Sequence, residues 1–167
     1  AARRALAIEI RVAAGAAGAA ALVEQVLVTE AGAALWPAAD RWRVDIAAWR
    51  REHADERPFA RAARLMNEVV RRPLPAGDAG DEVLLLRTTG ALHALLASST
   101  LTSSERAQAL SWLGVAYERL NELDVWGLFL FYDAACVEAA PHTSLGAGCF
   151  ARYERAVREV HDAHEAE

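Results

Sequence analysis

Apolar positions recur along this chain at intervals of three and four residues and are interrupted by proline and glycine, a pattern that predicts an all-α protein of about seven helices. Residues 2–31 lack Pro and are rich in Ala, so one long helix is expected there, with Gly15 and Gly18 offering a flat strip for a neighbouring helix. Trp36-Pro37 interrupts the pattern. A second helix over about 38–53 sets Trp42, Ile46 and Trp49 on one face. A third opens at Pro58, because proline suits the first helical position, and carries Phe59, Ala62, Ala63, Met66, Val69 and Val70 as its apolar stripe with Arg61, Arg64, Asn67 and Arg71 outside.

The stretch PLPAGDAG at 73–80 breaks the periodicity and separates an N-terminal helical segment, 1–72, from a C-terminal helical domain, 81–167. A fourth helix over about 81–98 starts with Asp81 and Glu82 at its positive end, and its leucines Leu84, Leu85, Leu92, Leu95 and Leu96 face more than one way, as in a helix between two neighbours. Thr102 and Glu105 form a capping box ahead of a fifth helix whose buried face is Leu110, Leu113, Tyr117 and Leu120. The segment VWGLFLFYDAACV is apolar around its whole circumference; its composition also suits a buried strand, and its length with the flanking residues favours helix. After Pro141, Thr143 is placed to cap a last helix in which Cys149, Tyr153, Ala156 and Val160 form the buried stripe and Arg152, Arg155, Arg158 and Glu159 the solvated face.

Within residues 105–141, Leu110, Leu113, Gly114 and Tyr117 resemble the first block of the tetratricopeptide-type helical repeat, with Leu in its Trp place, and Gly127, Phe131, Ala134 and the closing Pro141 resemble the second. One extra residue lies between the blocks and two precede Pro141. The resemblance covers one unit of the chain, and it implies a TPR-like α-solenoid of antiparallel hairpins closed by a C-terminal capping helix. By similarity to that family, the partner-binding groove would be lined by Gln108, Ser111, Val115, Glu118 and Arg119 of the fifth helix. The implied function is a non-catalytic protein–protein interaction scaffold that binds another protein or a peptide. The alternative is a structural subunit of a larger multiprotein assembly, membrane-associated or not, in which the Gly/Ala strip of residues 13–21 and the Trp-bearing second helix are permanently covered.

Composition agrees with helix: Ala fills 39 of 167 positions. Lysine is absent and all 18 basic residues are Arg, a usage that more often reflects a GC-rich genome than selection for phosphate forks and is given no functional weight. Residues 1–75 have net charge +3 and residues 76–167 net −8, so the acidic repeat-like half repels phosphate and nucleic acid is not an expected partner. The Arg residues of 41–72 alternate with acids at helical spacing and read as a charged solvent face. Val12–Val23 is too short and too weakly apolar to span a bilayer, and it is followed by more helical pattern and not by a cleavage site.

Few residues offer chemistry, and neither a catalytic group nor a cofactor is expected. Cys136 and Cys149 lie five residues before and eight after Pro141, so an antiparallel hairpin turning there brings them to nearly the same height. They form either a disulfide, which would indicate an oxidising compartment and favour the bacterial periplasm over the cytoplasm, or two small buried thiols. His161, His164 and Glu165 sit close together in a terminal turn without a rigid second element, and no metal site is expected. Glu52, His53, Asp55 and Glu56 follow one another in a polar loop, whereas acid–base work needs groups held in a pocket. His93, between leucines, reads as a hydrogen-bonded core or boundary residue. No nucleophile elbow, phosphate loop or repeated E-x-x-H pair is present.

Overall fold

A computed structural model describes residues 16–29, 36–51, 56–72, 82–120 and 127–165. The described residues form seven helices and no strand: α1 Ala16–Leu27, α2 Trp36–Trp49, α3 Pro58–Arg71, α4 Glu82–Leu96, α5 Ser103–Arg119, α6 Leu128–Ala139 and α7 Ser144–Glu165. Gly15 and the 73–80 break lie outside the described residues, as do 52–55 and the side chains of Val160, His161, His164 and Glu165.

The helix boundaries follow from local chemistry. Pro58 occupies the first turn of α3, where a missing amide hydrogen is harmless. Thr102 Oγ1 accepts a hydrogen bond from the Glu105 amide at 3.2 Å, and the Thr102 amide donates to Glu105 Oε2 at 2.9 Å. This closes the capping box and starts α5. Glu105 is correspondingly more acidic than an ordinary glutamate, because its carboxylate is held by the Thr102 amide and then by the Thr102 hydroxyl. The apolar segment after residue 127 is helical, not extended. At the start of α7, the Gly146 amide donates to Thr143 Oγ1 at 3.1 Å.

Each helix packs on a neighbour in sequence: α1 on α2, α3 on α4, α4 on α5, α5 on α6 and α6 on α7. A second set of contacts skips one helix, joining α2 to α4, α3 to α5 and α5 to α7. One continuous apolar cluster runs from Ala19 to Leu120 and so includes both the N-terminal helices and the C-terminal ones. Trp42, Ile46, Leu65, Met66, Leu92 and Leu113 are its largest deeply buried side chains, each worth about 1.5–3 kcal/mol of transfer from water for the aliphatic members. As its leucines indicated, α4 is covered on several sides: Val83, Leu84, Leu85 and Leu86 are all buried, and so are Thr88 and Thr89. The two threonine hydroxyls donate to the Leu84 and Leu86 carbonyls at 2.7 and 3.0 Å, which removes the cost of burying them.

Three expectations change. The first helix, expected to run to residue 31, stops at Leu27, and its expected stretch before Ala16 lies outside the described residues. Val70 does not join the α3 stripe but is 57% exposed; Ala62, Leu65, Met66 and Val69 form the buried face, and Val70 falls at its edge. Trp49 is only half buried, its ring lying under the Arg87 guanidinium at 5.2 Å, a cation–π contact that suits a core-edge aromatic.

Candidate interaction surface around the fifth helix

At about 100° per residue, Gln108, Ser111 and Val115 share one face of α5 with Ser104. The neighbours on either side of this face are known. Trp112 meets the ring of Phe59 on α3 at 5.4 Å, and Arg119 donates to the Val69 carbonyl of α3. On the opposite flank, Glu118 pairs with Arg155 of α7, and Ser111 is buried against Arg152. The row Ser104, Gln108 and Val115 therefore lies between α3 and α7, with Ser104 exposed, Gln108 half-buried and Val115 half-buried against the core. Of the five residues carried over from the repeat resemblance, Gln108 and Val115 lie on this strip, Ser111 lies beneath α7, and Glu118 and Arg119 are engaged by neighbouring helices.

Beneath this surface is a polar site that the sequence pattern missed. Asp133 of α6 is 1% exposed. Arg152 of α7 reaches it from across the hairpin, its Nε donating to Oδ1 at 3.1 Å and its Nη2 to the same oxygen. The same Nη2 donates to Ser111 Oγ at 3.2 Å and approaches Cys149 Sγ at 3.4 Å. Burial raises the Asp133 carboxyl above the ordinary aspartate range, and the Arg152 guanidinium, through its hydrogen bonds and its charge, offsets part of that rise. Arg152 is thus not on the solvated face of α7 but turned inward, while Arg155, Arg158 and Glu159 keep exposed positions.

The third component is Gly114. A Cβ built on it would lie 2.9 Å from Asp133 Cγ and closer still to Oδ1, so only a residue without a side chain lets α5 approach the buried ion pair. Gly127, which the repeat resemblance also places at a helix contact, has a different job. It precedes α6 with φ of +62°, and a Cβ there would meet only the Leu130 side chain at 3.7 Å, so it serves the turn.

Cys136 and Cys149 are joined in a disulfide with Cα atoms 6.2 Å apart, both fully buried, and with Leu110 they form a second small core between α5, α6 and α7. The free-thiol reading of these cysteines is set aside by this bridge. The α6–α7 hairpin is therefore held by a covalent bond and by an ion pair one turn away.

An aromatic cluster lies beside it. His93 Nε2 and Tyr117 Oη are 2.8 Å apart, the Tyr117 ring stacks on Tyr132 at 5.4 Å and 7°, and His93 meets both rings edge-on. His93 is thus a hydrogen-bonded boundary residue, the reading its leucine neighbours suggested. Of the polar loop, Glu56 is described and is bound by Arg64. Among the described residues there is no cluster of three His, Cys, Asp or Glu side chains that would hold a metal ion, and no helix is long and apolar enough to cross a membrane. Comparison with protein-family models, with curated proteins and with solved structures finds no match to this chain.

Proposed function

We propose that the chain is a non-catalytic scaffold of tetratricopeptide-like design that binds a partner polypeptide along the strip between α3 and α7, with α5 as its floor. The observation that carries the reading is the ladder of packing, in which α5 neighbours both α3 and α7 while each of the three also packs on a helix next to it in sequence. Stacked hairpins have this property, since each unit buries its apolar face on the next and leaves one set of alternate helices side by side as a binding surface. Ser104, Gln108 and Val115 offer hydroxyl, amide and aliphatic contact to an extended or helical peptide, with Arg119 on the α3 flank and the Glu118–Arg155 pair on the α7 flank adding charge of both signs. A disulfide between buried cysteines fits an oxidising compartment such as the bacterial periplasm.

The test is a pair of solvent-facing substitutions, Ser104→Arg with Gln108→Arg, in affinity-tagged protein purified from its native cells. A stoichiometric partner retained by the parent chain and lost from the variant, with unchanged circular dichroism and melting temperature, supports the reading. A partner retained equally by both rejects this strip.

A second reading, a subunit permanently covered by its neighbours in a larger assembly, is favoured by one observation. Phe131, Phe150 and Val157 are 67%, 52% and 43% exposed on α6 and α7. Trp42, by contrast, belongs to the chain's own core and is withdrawn from any such surface. This reading predicts poor solubility of the isolated chain, relieved by Phe131→Ser with Phe150→Ser. A parent chain as soluble as the variant rejects it.

A further inference from the structure

The outward side of α3 lies opposite its buried stripe and carries a shallow open trough of about 680 Å³. Ala60 and Ala63 form a low floor, and Arg64, Asn67, Arg71 and Arg72 stand up around it, with Glu68 as the one acid of the lining. Three guanidinium groups stand against Glu68 in the lining and Glu56 beside it, so the surface keeps a net positive charge in a chain whose net charge is −5. We propose that this trough is a docking site for an acidic polypeptide segment, distinct from the strip over α5.

Charge complementarity commits the occupant. Arg64 and Arg72 currently pair with Glu56 and Glu68 at 2.9 and 2.8 Å, and all four side chains are partly exposed. Exposed pairs of this kind are weak, so carboxylates of a ligand can replace Glu56 and Glu68 at small cost. Each guanidinium presents a fork that matches a carboxylate at two points. Arg64 and Arg71 stand two turns apart, about 10.5 Å along the helix axis. That distance equals two helical turns of a partner helix, and three residues of a polyproline-II-like extended segment cover about 9.3 Å and return the side chain to the same face, so acids spaced by seven or by three positions meet both forks. A nucleic acid strand suits the trough less well. Its lining contains no aromatic ring on which a base would stack, and Glu68 sits among the arginines where a continuous phosphate backbone would pass.

Fluorescence anisotropy of the full chain tests this, using three labelled probes: a Glu–Ala peptide repeating Glu-Ala-Ala, an equally long peptide repeating Lys-Ala-Ala, and oligo-dT. The Glu–Ala peptide is expected to bind at an ionic strength of about 0.01 M and to dissociate at about 1 M, where the Debye length has fallen from about 30 to about 3 Å. The variant Arg64→Ala with Arg71→Ala should weaken binding about tenfold, equivalent to about 1.4 kcal/mol. A charge-matched control, Arg106→Ala with Arg158→Ala on the exposed faces of α5 and α7, should leave it unchanged. Equal weakening by the control, no salt-sensitive binding of the acidic peptide, or tighter binding of oligo-dT would each overturn the proposal.

Discussion

Replacing Gly114 by Ala puts a methyl group where the Asp133 carboxylate sits. The new Cβ would be 2.9 Å from Asp133 Cγ, well inside the roughly 3.5–4.0 Å of ordinary carbon contact. The carboxylate is enclosed at 1% exposure and tied to Arg152, so it cannot swing away without loosening the ion pair. In an open helix the substitution gains about 1 kcal/mol, because Ala is the better helix former. Overpacking here costs about 2 kcal/mol, the middle of its usual range. Breaking a buried pair costs about 3–5 kcal/mol, and loosening it by half costs about 2. The terms combine to a net loss of about 3 kcal/mol. Gly90 and Gly148 are internal controls, since a Cβ on either meets nothing within 4 Å; Ala at those sites should stabilise by about 0.5–1 kcal/mol. Urea unfolding of the three variants, with the disulfide intact, measures all of these shifts. Adding Asp133→Ala should also cost less in the Gly114→Ala background than in the parent chain, because the two side chains compete for one space. Gly114→Ala as stable as Gly90→Ala would refute the reasoning.

Reduction of the Cys136–Cys149 bridge, 13 residues apart in sequence, should cost about 3 kcal/mol by the loop-closure argument, read as a drop in urea midpoint with dithiothreitol present. Thr102→Ala should destabilise by about 1 kcal/mol through loss of the α5 cap. It should also return the lowered Glu105 carboxyl toward its ordinary value, measurable by carboxyl-carbon NMR titration. The raised Asp133 carboxyl binds its proton more tightly folded than unfolded. Its contribution is therefore most favourable at low pH, where both states are protonated, and it is lost as pH climbs from the ordinary aspartate value of about 3.9 through the raised one. Arg152→Met removes the offsetting charge, so the variant should lose more stability on going from acidic to neutral pH than the parent does; an equal slope in parallel unfolding curves would contradict the assignment.

Local signals placed the helices well. The T-x-x-E of Thr102 and Glu105, Pro58 at a helix start and the three–four spacing of leucines act within a few residues, so sequence alone exposes them. The cysteine pairing was legible for a related reason, since an antiparallel hairpin about Pro141 fixes which heights coincide. The same register contained the missed ion pair. Asp133 lies three residues before Cys136 and Arg152 three after Cys149, so the hairpin that aligns the sulfurs also aligns the charges one turn away. A lone acid inside LFLFYDAACV was the signal, because a charge in an apolar segment needs a partner. The spacing places Arg152 on the solvated face because the α7 stripe passes beside it, and periodicity cannot tell an edge position from an exposed one when the covering helix is distant in sequence. Gly127 illustrates the opposite limit. Its spacing fits a packing position of the repeat pattern, while its positive φ, which spacing does not encode, makes it a turn residue.

The claim that the strip between α3 and α7 receives a partner polypeptide is tested most directly by placing a photo-reactive benzoylphenylalanine at Gln108 and, in a second protein, at exposed Ala94 on α4, then irradiating in native cells. The account predicts a discrete adduct with a single partner from position 108 and none from position 94. The same adduct from both positions, or from position 94 alone, would contradict it.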